Sequence, residues 1–303
     1  MIEKVYVIYH NDPDGWACGW LTKNYLRKHK TCMKYNIANP AKVCFLPVDY
    51  GTNLFDNKDM FKNVLVFMLD FSIQPYNKFK EFAQVPEYLV WIDHHKTAIE
   101  EYKKDPFSAE TYLKEGIGAC ASVYEYFYKN QKLPLWLELI ANYDVWRFPY
   151  LNHHHYLIAY MKHYEKEFSQ LSDREWRKLE QIKEMQDFYY HTYLKVGKYF
   201  FENWLKEKIN IIDSIGFEKE LWGHKCICVN GKGFNSLPFE RHPKYRNYDI
   251  WVTFFYLGND KWTVSLYSEK VNVGEIAKKY GGGGHAEAAG FQCSTIDLRN
   301  IIL

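Results

Sequence analysis

Three acidic motifs stand where short apolar runs end. Lys4–Tyr9 leads into His10-Asn11-Asp12-Pro13-Asp14-Gly15, Val64–Leu69 into Asp70-Phe71-Ser72, and Tyr88–Ile92 into Asp93-His94-His95. One Asp after a strand ordinarily forms a turn or caps a helix. Three in the same situation point to a shared site, and two adjacent imidazoles have no capping use. Asp144, in Asn142-Tyr143-Asp144-Val145-Trp146-Arg147, offers a further carboxylate. The set Asp12, Asp14, Asp70 and Asp144 with His10 and His94 is rich in oxygen, contains nitrogen and lacks thiolate. Such donors suit Mn²⁺ or Mg²⁺, with the imidazoles favouring Mn²⁺. These carboxylates balance the charge of two divalent cations. Two such ions about 3.5–4 Å apart hold a bridging hydroxide and stabilise an in-line displacement at phosphorus.

The elements that must position these residues are legible. Lys4–Tyr9, Val43–Val48, Val64–Leu69 and Tyr88–Ile92 read as strands, the last two apolar throughout, as strands buried on both faces are. Helical spacing occupies Trp16–Lys30 and Pro75–Gln84. Alternating strands and helices imply an α/β domain with a mostly parallel sheet flanked by helices. The carboxyl ends of its strands form the ligand crevice. Helical signals follow over Ile117–Lys129, Leu135–Asn142 and Tyr156–His163. One helix or two then cover roughly Ser172–Lys208. Strands return at Lys225–Asn230, Ile250–Leu257 and Trp262–Tyr267, with a turn over residues 258–261, and a helix over Val273–Tyr280 precedes Gly281–Gly284. The expected organisation is a catalytic domain over 1–170, a helical linker over 171–219 and a smaller α+β domain over 220–303.

The net charge is +2, from 39 basic and 37 acidic residues. No basic stripe suited to long duplex DNA is evident, and the balance favours a short anionic substrate. The 26 Tyr, 20 Phe and 10 Trp read chiefly as packing, with base stacking the minority use. Seven Cys without CxxC pairs, no signal peptide and no apolar run of membrane length imply a cytoplasmic protein with free thiols and no membrane partner. The sequence leaves a homodimer open.

Gly281, Gly282, Gly283 and Gly284, followed by His285, exceed what one helix cap needs. The expectation is an anion nest of backbone N–H groups, with His285 adding a donor and Ala286, Ala288 and Ala289 keeping the next turn small. His153-His154-His155 is set aside as a metal cluster, because consecutive side chains diverge and no carboxylate pattern accompanies them.

The order His-x-Asp-x-Asp-Gly, Asp-x-Ser, Asp-His-His and a distal Asp resembles the DHH phosphoesterase superfamily. Val264–Phe291 resembles its DHHA1 partner domain. The resemblance implies that Asp70 bridges two cations, that His10, Asp12, Asp14, His94 and Asp144 complete their ligands, and that His95 faces the scissile phosphate while Asp93 orients an imidazole. It implies that the glycine loop holds the nucleotide end of a substrate lying between the two domains. The chain departs from its relatives at two places. Trp16 stands where some members carry a further Asp, so Asp12 must supply the second carboxylate. Ser265-Leu266-Tyr267-Ser268 stands where many have Ser-x-Arg-Ser. Tyr267 can stack on a base but cannot grip a phosphate in bidentate fashion, and Arg241 and Arg246 are candidate substitutes.

The expected function is therefore two-metal, Mn²⁺-dependent phosphodiester or phosphomonoester hydrolysis. Short oligonucleotides, dinucleotides or nucleotide phosphates are the expected substrates. The rivals are a single-strand-specific exonuclease on longer nucleic acid and a non-catalytic nucleotide-binding protein on the same scaffold.

Overall fold

A computed structural model of the protein describes residues 2–29, 35, 37–50, 52, 54–168, 172–184, 187 and 193–302; the side chains of 38–41, 55 and 164–168 are outside that description. Cys32, and parts of the expected 172–208 helical stretch, lie outside the described residues. The chain divides into two compact units, Met1–Phe200 and Phe201–Leu303.

The first unit is built on five parallel strands in the order β2-β1-β3-β4-β5: β1 Ile2–His10, β2 Ile37–Val48, β3 Leu65–Leu69, β4 Tyr88–Asp93 and β5 Glu110–Leu113. The apolar runs are explained by burial on both faces. Val5, Val7, Tyr9, Leu65, Phe67, Leu69, Val90 and Ile92 enter one core with α1 (Pro13–Lys28), α4 (Ala119–Phe127), α5 (Leu135–Asp144) and α6 (His153–Phe168). Their alternates Tyr6, Ile8, Val66, Met68, Leu89 and Trp91 enter a second core with α2 (Tyr76–Phe82) and α3 (Lys96–Lys104). Period-two alternation thus feeds two apolar layers, as a covered parallel sheet requires. Among the described residues α7 (Asp173–Glu180) and α8 (Tyr193–Ile215) follow, and the unit boundary falls within α8.

The second unit has six strands in the order β10-β11-β9-β8-β7-β6: β6 Phe217–Leu221, β7 His224–Asn230, β8 Ile250–Gly258, β9 Lys261–Tyr267, β10 Gly283–Gly284 and β11 Ala288–Cys293. All its pairings are antiparallel except β7–β8, which α9 (Leu237–Arg241) separates in the chain. Asn259 and Asp260 join β8 to β9 with positive φ at both, the backbone of a tight two-residue hairpin. α10 (Val273–Lys279) and α11 (Thr295–Ile301) pack on this sheet. Ala288 and Ala289, expected in a turn, are strand residues: they pair with Tyr267 and Leu266 of β9. Among the described residues no helix is long and apolar enough to cross a membrane.

Candidate active site

Strand register assembles the site. Tyr9 pairs with Leu69 and Leu69 with Ile92, so the next residues, His10, Asp70 and Asp93, stand level at the carboxyl edge of three neighbouring strands. The α1 N-terminus then delivers Asp12 and Asp14. Asp12 caps α1 with Oδ1, which accepts from the Gly15 N–H at 2.9 Å. Its other oxygen, Oδ2, lies 3.0 Å from His10 Nδ1. Capping therefore uses one oxygen and leaves the second for the site.

Gly15 lets α1 start this close to the strand end. A Cβ there would lie 1.9 Å from the His10 carbonyl oxygen and 2.7 Å from its carbon. Neither atom can move without displacing β1. Gly15→Ala is therefore expected to destabilise the protein by about 3 kcal/mol or more, at or beyond the upper range of overpacking. The midpoint of urea unfolding reads this directly.

Asp14 is buried and anchored from far along the chain. Its Oδ2 accepts from the Ala119 N–H at 2.6 Å and its Oδ1 from the Cys120 N–H at 3.1 Å. Both donors are free amides of the first turn of α4, where the helix dipole favours an anion. Gly118 makes room for this contact: a Cβ there would sit 2.6 Å from Ala141 Cα and 3.0 Å from Asp14 Oδ1. Sequence reasoning missed this support, although Gly116-Ile117-Gly118 ahead of an apolar helix was a usable signal.

Asp70 is the centre of the arrangement. It is 1% exposed and adopts φ +54°, a strained backbone for a non-glycine residue. Its Oδ1 lies 3.2 Å from His94 Nε2 and its Oδ2 4.0 Å from His10 Nδ1. Neither oxygen has a hydrogen-bond partner. Burial, then the neighbouring Asp14, Asp12 and Asp144, push its carboxyl well above the usual range. Asp144, the last residue of α5 rather than a residue beyond it, places Oδ2 3.1 Å from His94 Nε2 and is likewise raised, by burial and then by Asp14 and Asp12. Burial lowers the pKa of His94, which favours the neutral imidazole that a metal requires. A neutral Nε2 lone pair set between carboxylate oxygens calls for a cation.

The donor atoms of His10, Asp12 and Asp70 lie within 4.8 Å of one another, and so do those of Asp14, His94 and Asp144. Asp70 presents one oxygen to His10 in the first group and the other to His94 in the second. A buried carboxylate without donors is costly unless a cation neutralises it. The residues present therefore fit two divalent cations sharing Asp70.

Asp93 differs from the other carboxylates because the protein satisfies it. Its Oδ1 accepts from the His94 and His95 N–H groups at 2.7 and 3.2 Å and lies 2.7 Å from His95 Nδ1. Its Oδ2 accepts from Trp91 Nε1 at 3.2 Å. These bonds fix the His95 ring and leave Nε2 as its available nitrogen. Burial lowers the proton affinity of His95, but the Asp93 hydrogen bond and the surrounding carboxylates outweigh it and carry the pKa up to about 9.

Residues 241–302 match the DHHA1 domain, on the same chain as the His/Asp site just described. The chain is thus similar to DHH/DHHA1 proteins, through a DHHA1 match confined to its second unit. Oligoribonuclease NrnB of Bacillus subtilis (strain 168) is 24% identical, over 97% of this chain and 73% of NrnB. The fold is similar to the DHH domain of PF0399, a member of the s1p family of ribosomal proteins, with a TM-score of 0.63 and 13% identity over 98% of this chain and 84% of that one. It is also similar to exonuclease RecJ bound to manganese, with a TM-score of 0.51 and 12% identity over 97% and 86%.

Where the chain departs from the DHH/DHHA1 pattern that it resembles, the structure gives local reasons. Trp16 is buried, and its Nε1 donates to Asn11 Oδ1 at 3.0 Å, bracing the first motif. Tyr267 is half-buried, with its hydroxyl donating to the Phe234 carbonyl at 3.1 Å. The Arg241 guanidinium lies over the Phe201 ring at 5.6 Å, and Arg246 Nε donates to the Glu240 carbonyl. His154 spends both ring nitrogens on backbone, Nδ1 on Leu139 O and Nε2 on Tyr150 N.

The glycine loop requires a correction. The expectation is a nest of backbone N–H groups, but the Gly281 N–H donates to Lys278 O at 3.1 Å and the Gly282 N–H to Ala277 O at 3.0 Å, closing the C-terminus of α10. Gly283 and Gly284 pair with Gly290 and Ala289, and the His285 N–H donates to Ala288 O at 2.8 Å. The run is a helix cap followed by a narrow hairpin, because successive glycines let α10 end and β10 begin without intervening residues. Gly283, Gly284 and His285 are exposed.

Proposed function

We propose that the chain is a divalent-cation-dependent phosphodiesterase acting on short oligonucleotides, dinucleotides or nucleotide phosphates in the cytoplasm. The observation that carries this reading is the Asp70 carboxylate, buried without donors between two His/Asp groups. His10, Asp12 and Asp70 would hold one cation, and Asp14, Asp70, His94 and Asp144 the other. The donor set favours Mn²⁺ over Mg²⁺, since imidazole nitrogen joins carboxylate oxygen. Bound there, two cations supply Lewis-acid polarisation of the phosphoryl group and lower the pKa of water. Among the chain's own groups, His95 Nε2 donates to the scissile phosphate, and Asp93 holds that ring in register. In the second unit, taken by itself, Gly283, Gly284 and His285 are exposed and offer contacts for an anion. The NrnB relative and the near-neutral charge both support a short substrate.

A substrate panel tests this directly. Dinucleotide, cyclic dinucleotide, 3′-phosphoadenosine 5′-phosphate and long single-stranded DNA are incubated with Mn²⁺, and products are read by chromatography. Cleavage is expected among the short substrates; a strong preference for long single-stranded DNA would sink the substrate assignment.

Asp93→Asn is expected to reduce kcat about 10- to 100-fold, the cost of losing a group that orients a working residue. In the metal-free variant the His95 pKa should fall from about 9, which NMR titration measures. An unchanged His95 pKa would show that Asp93 does not control that ring.

A further inference from the structure

Tyr50 touches the site without belonging to its ligands. It follows β2 by two residues, and Val48 of that strand pairs with His10, so the tyrosine emerges at the carboxyl edge that carries the site. Its ring centroid lies 5.3 Å from that of His10, 6.0 Å from His95 and 5.1 Å from Phe71, with interplanar angles of 53°, 83° and 35°. Three ring contacts fix the side chain, yet 48% of the residue is exposed. A tyrosine that merely completed a core would be covered. A held aromatic ring, open to solvent beside two imidazoles of a phosphate site, is suited to stacking a nucleobase, whose π-face is the feature all bases share.

We propose that Tyr50 is the nucleobase platform of this site, stacking on the base next to the scissile phosphate. This deepens, and rests on, the phosphodiesterase reading: the substrates are phosphodiesters that carry a base, and selection among bases at this position is weak. In the sequence Asp49-Tyr50 simply follows the Val43–Val48 strand signal, so no motif announces the role.

The test compares a dinucleotide with its abasic analogue, both with Mn²⁺, for wild type, Tyr50→Ala and Tyr50→Phe. The readout is the ratio of kcat/KM for the two substrates, which cancels any general damage to the site. Tyr50→Ala is expected to lower that ratio about 5- to 100-fold, the range of a lost base–aromatic stack. Tyr50→Phe should retain it, because stacking needs the ring and not the hydroxyl. An unchanged ratio in Tyr50→Ala, as a ring that only positions His10 or His95 would give, overturns the proposal. An equal loss in Tyr50→Phe overturns it too. The same ratio is read in equilibrium binding of a non-hydrolysable, phosphonate-linked dinucleotide and its abasic counterpart. If wild type cleaves neither substrate, the phosphodiesterase reading fails, and the binding ratio still decides whether Tyr50 stacks a base.

Discussion

Asp70→Asn is expected to cut Mn²⁺-dependent dinucleotide hydrolysis by more than about a hundredfold while making the metal-free protein more stable. The first effect exceeds the upper range for outer-shell partners, since Asp70 faces both candidate cations directly. Asparagine keeps the shape but removes the charge and replaces one acceptor oxygen with a donor. The second effect follows from the same facts. In the metal-free protein the Asp70 carboxylate is buried, strained and without donors. Its replacement relieves a desolvated charge, and an amide N–H can be offered to the His94 Nε2 that Oδ1 now faces at 3.2 Å. Loss of activity together with gained stability marks a residue kept for function at a cost to the fold. Steady-state kinetics and thermal melts in chelator measure the two sides. A variant that melts lower and keeps its activity would show that Asp70 is a structural residue.

The second large effect is an inverted pH dependence of stability on cation binding. Asp70, Asp144 and Asp14 are raised chiefly by burial, and His95 is raised to about 9. A group whose folded pKa lies above its unfolded value contributes stability below the unfolded pKa and loses it as pH rises through the folded one. Metal-free protein should therefore lose stability from about pH 4 upward, the ordinary carboxylate pKa, and further towards the folded pKa of His95. Asp12 and Asp93 are lowered, so their contributions fail only on acidification below the ordinary range. Bound cations reverse the first trend, because ligands must give up protons to bind and the carboxylates then prefer the charged form. At a hundredfold excess over Kd each site adds about 2.7 kcal/mol, or about 5–11 °C for a unit of this size. Melting curves across pH, with chelator and with Mn²⁺, should slope in opposite directions. Parallel curves would mean that the raised carboxylates do not ligate metal.

What the sequence revealed followed from periodicity and strand-end position. β1, β3 and β4 were legible because both faces are buried, and the acidic motifs were legible because each directly follows such a strand. β5 was missed: Glu-Thr-Tyr-Leu is an edge strand, and Glu110 is bound by the hydroxyls of Tyr35 and Tyr126, so no apolar pattern marks it. β6, Phe217–Leu221, is an edge of the same kind in the second unit. Ala288 and Ala289, at the start of β11, read as part of a turn because Ala carries little strand propensity; pairing with β9 decides their conformation. Within the site, ligand types came from local motifs. The support of Asp14 by α4 did not, because those donors lie 105 and 106 residues away. Tyr50 was hidden for a related reason: its exposure and its neighbours are set by the sheet.

The most direct measurement is titration of the metal-free protein with Mn²⁺, followed by electron paramagnetic resonance. Two cations sharing the Asp70 carboxylate are expected to bind per chain and to give an exchange-coupled pair signal that Asp70→Asn abolishes. A signal from one isolated ion per chain, or no bound Mn²⁺ at saturating concentration, would contradict the two-cation site on which the function rests.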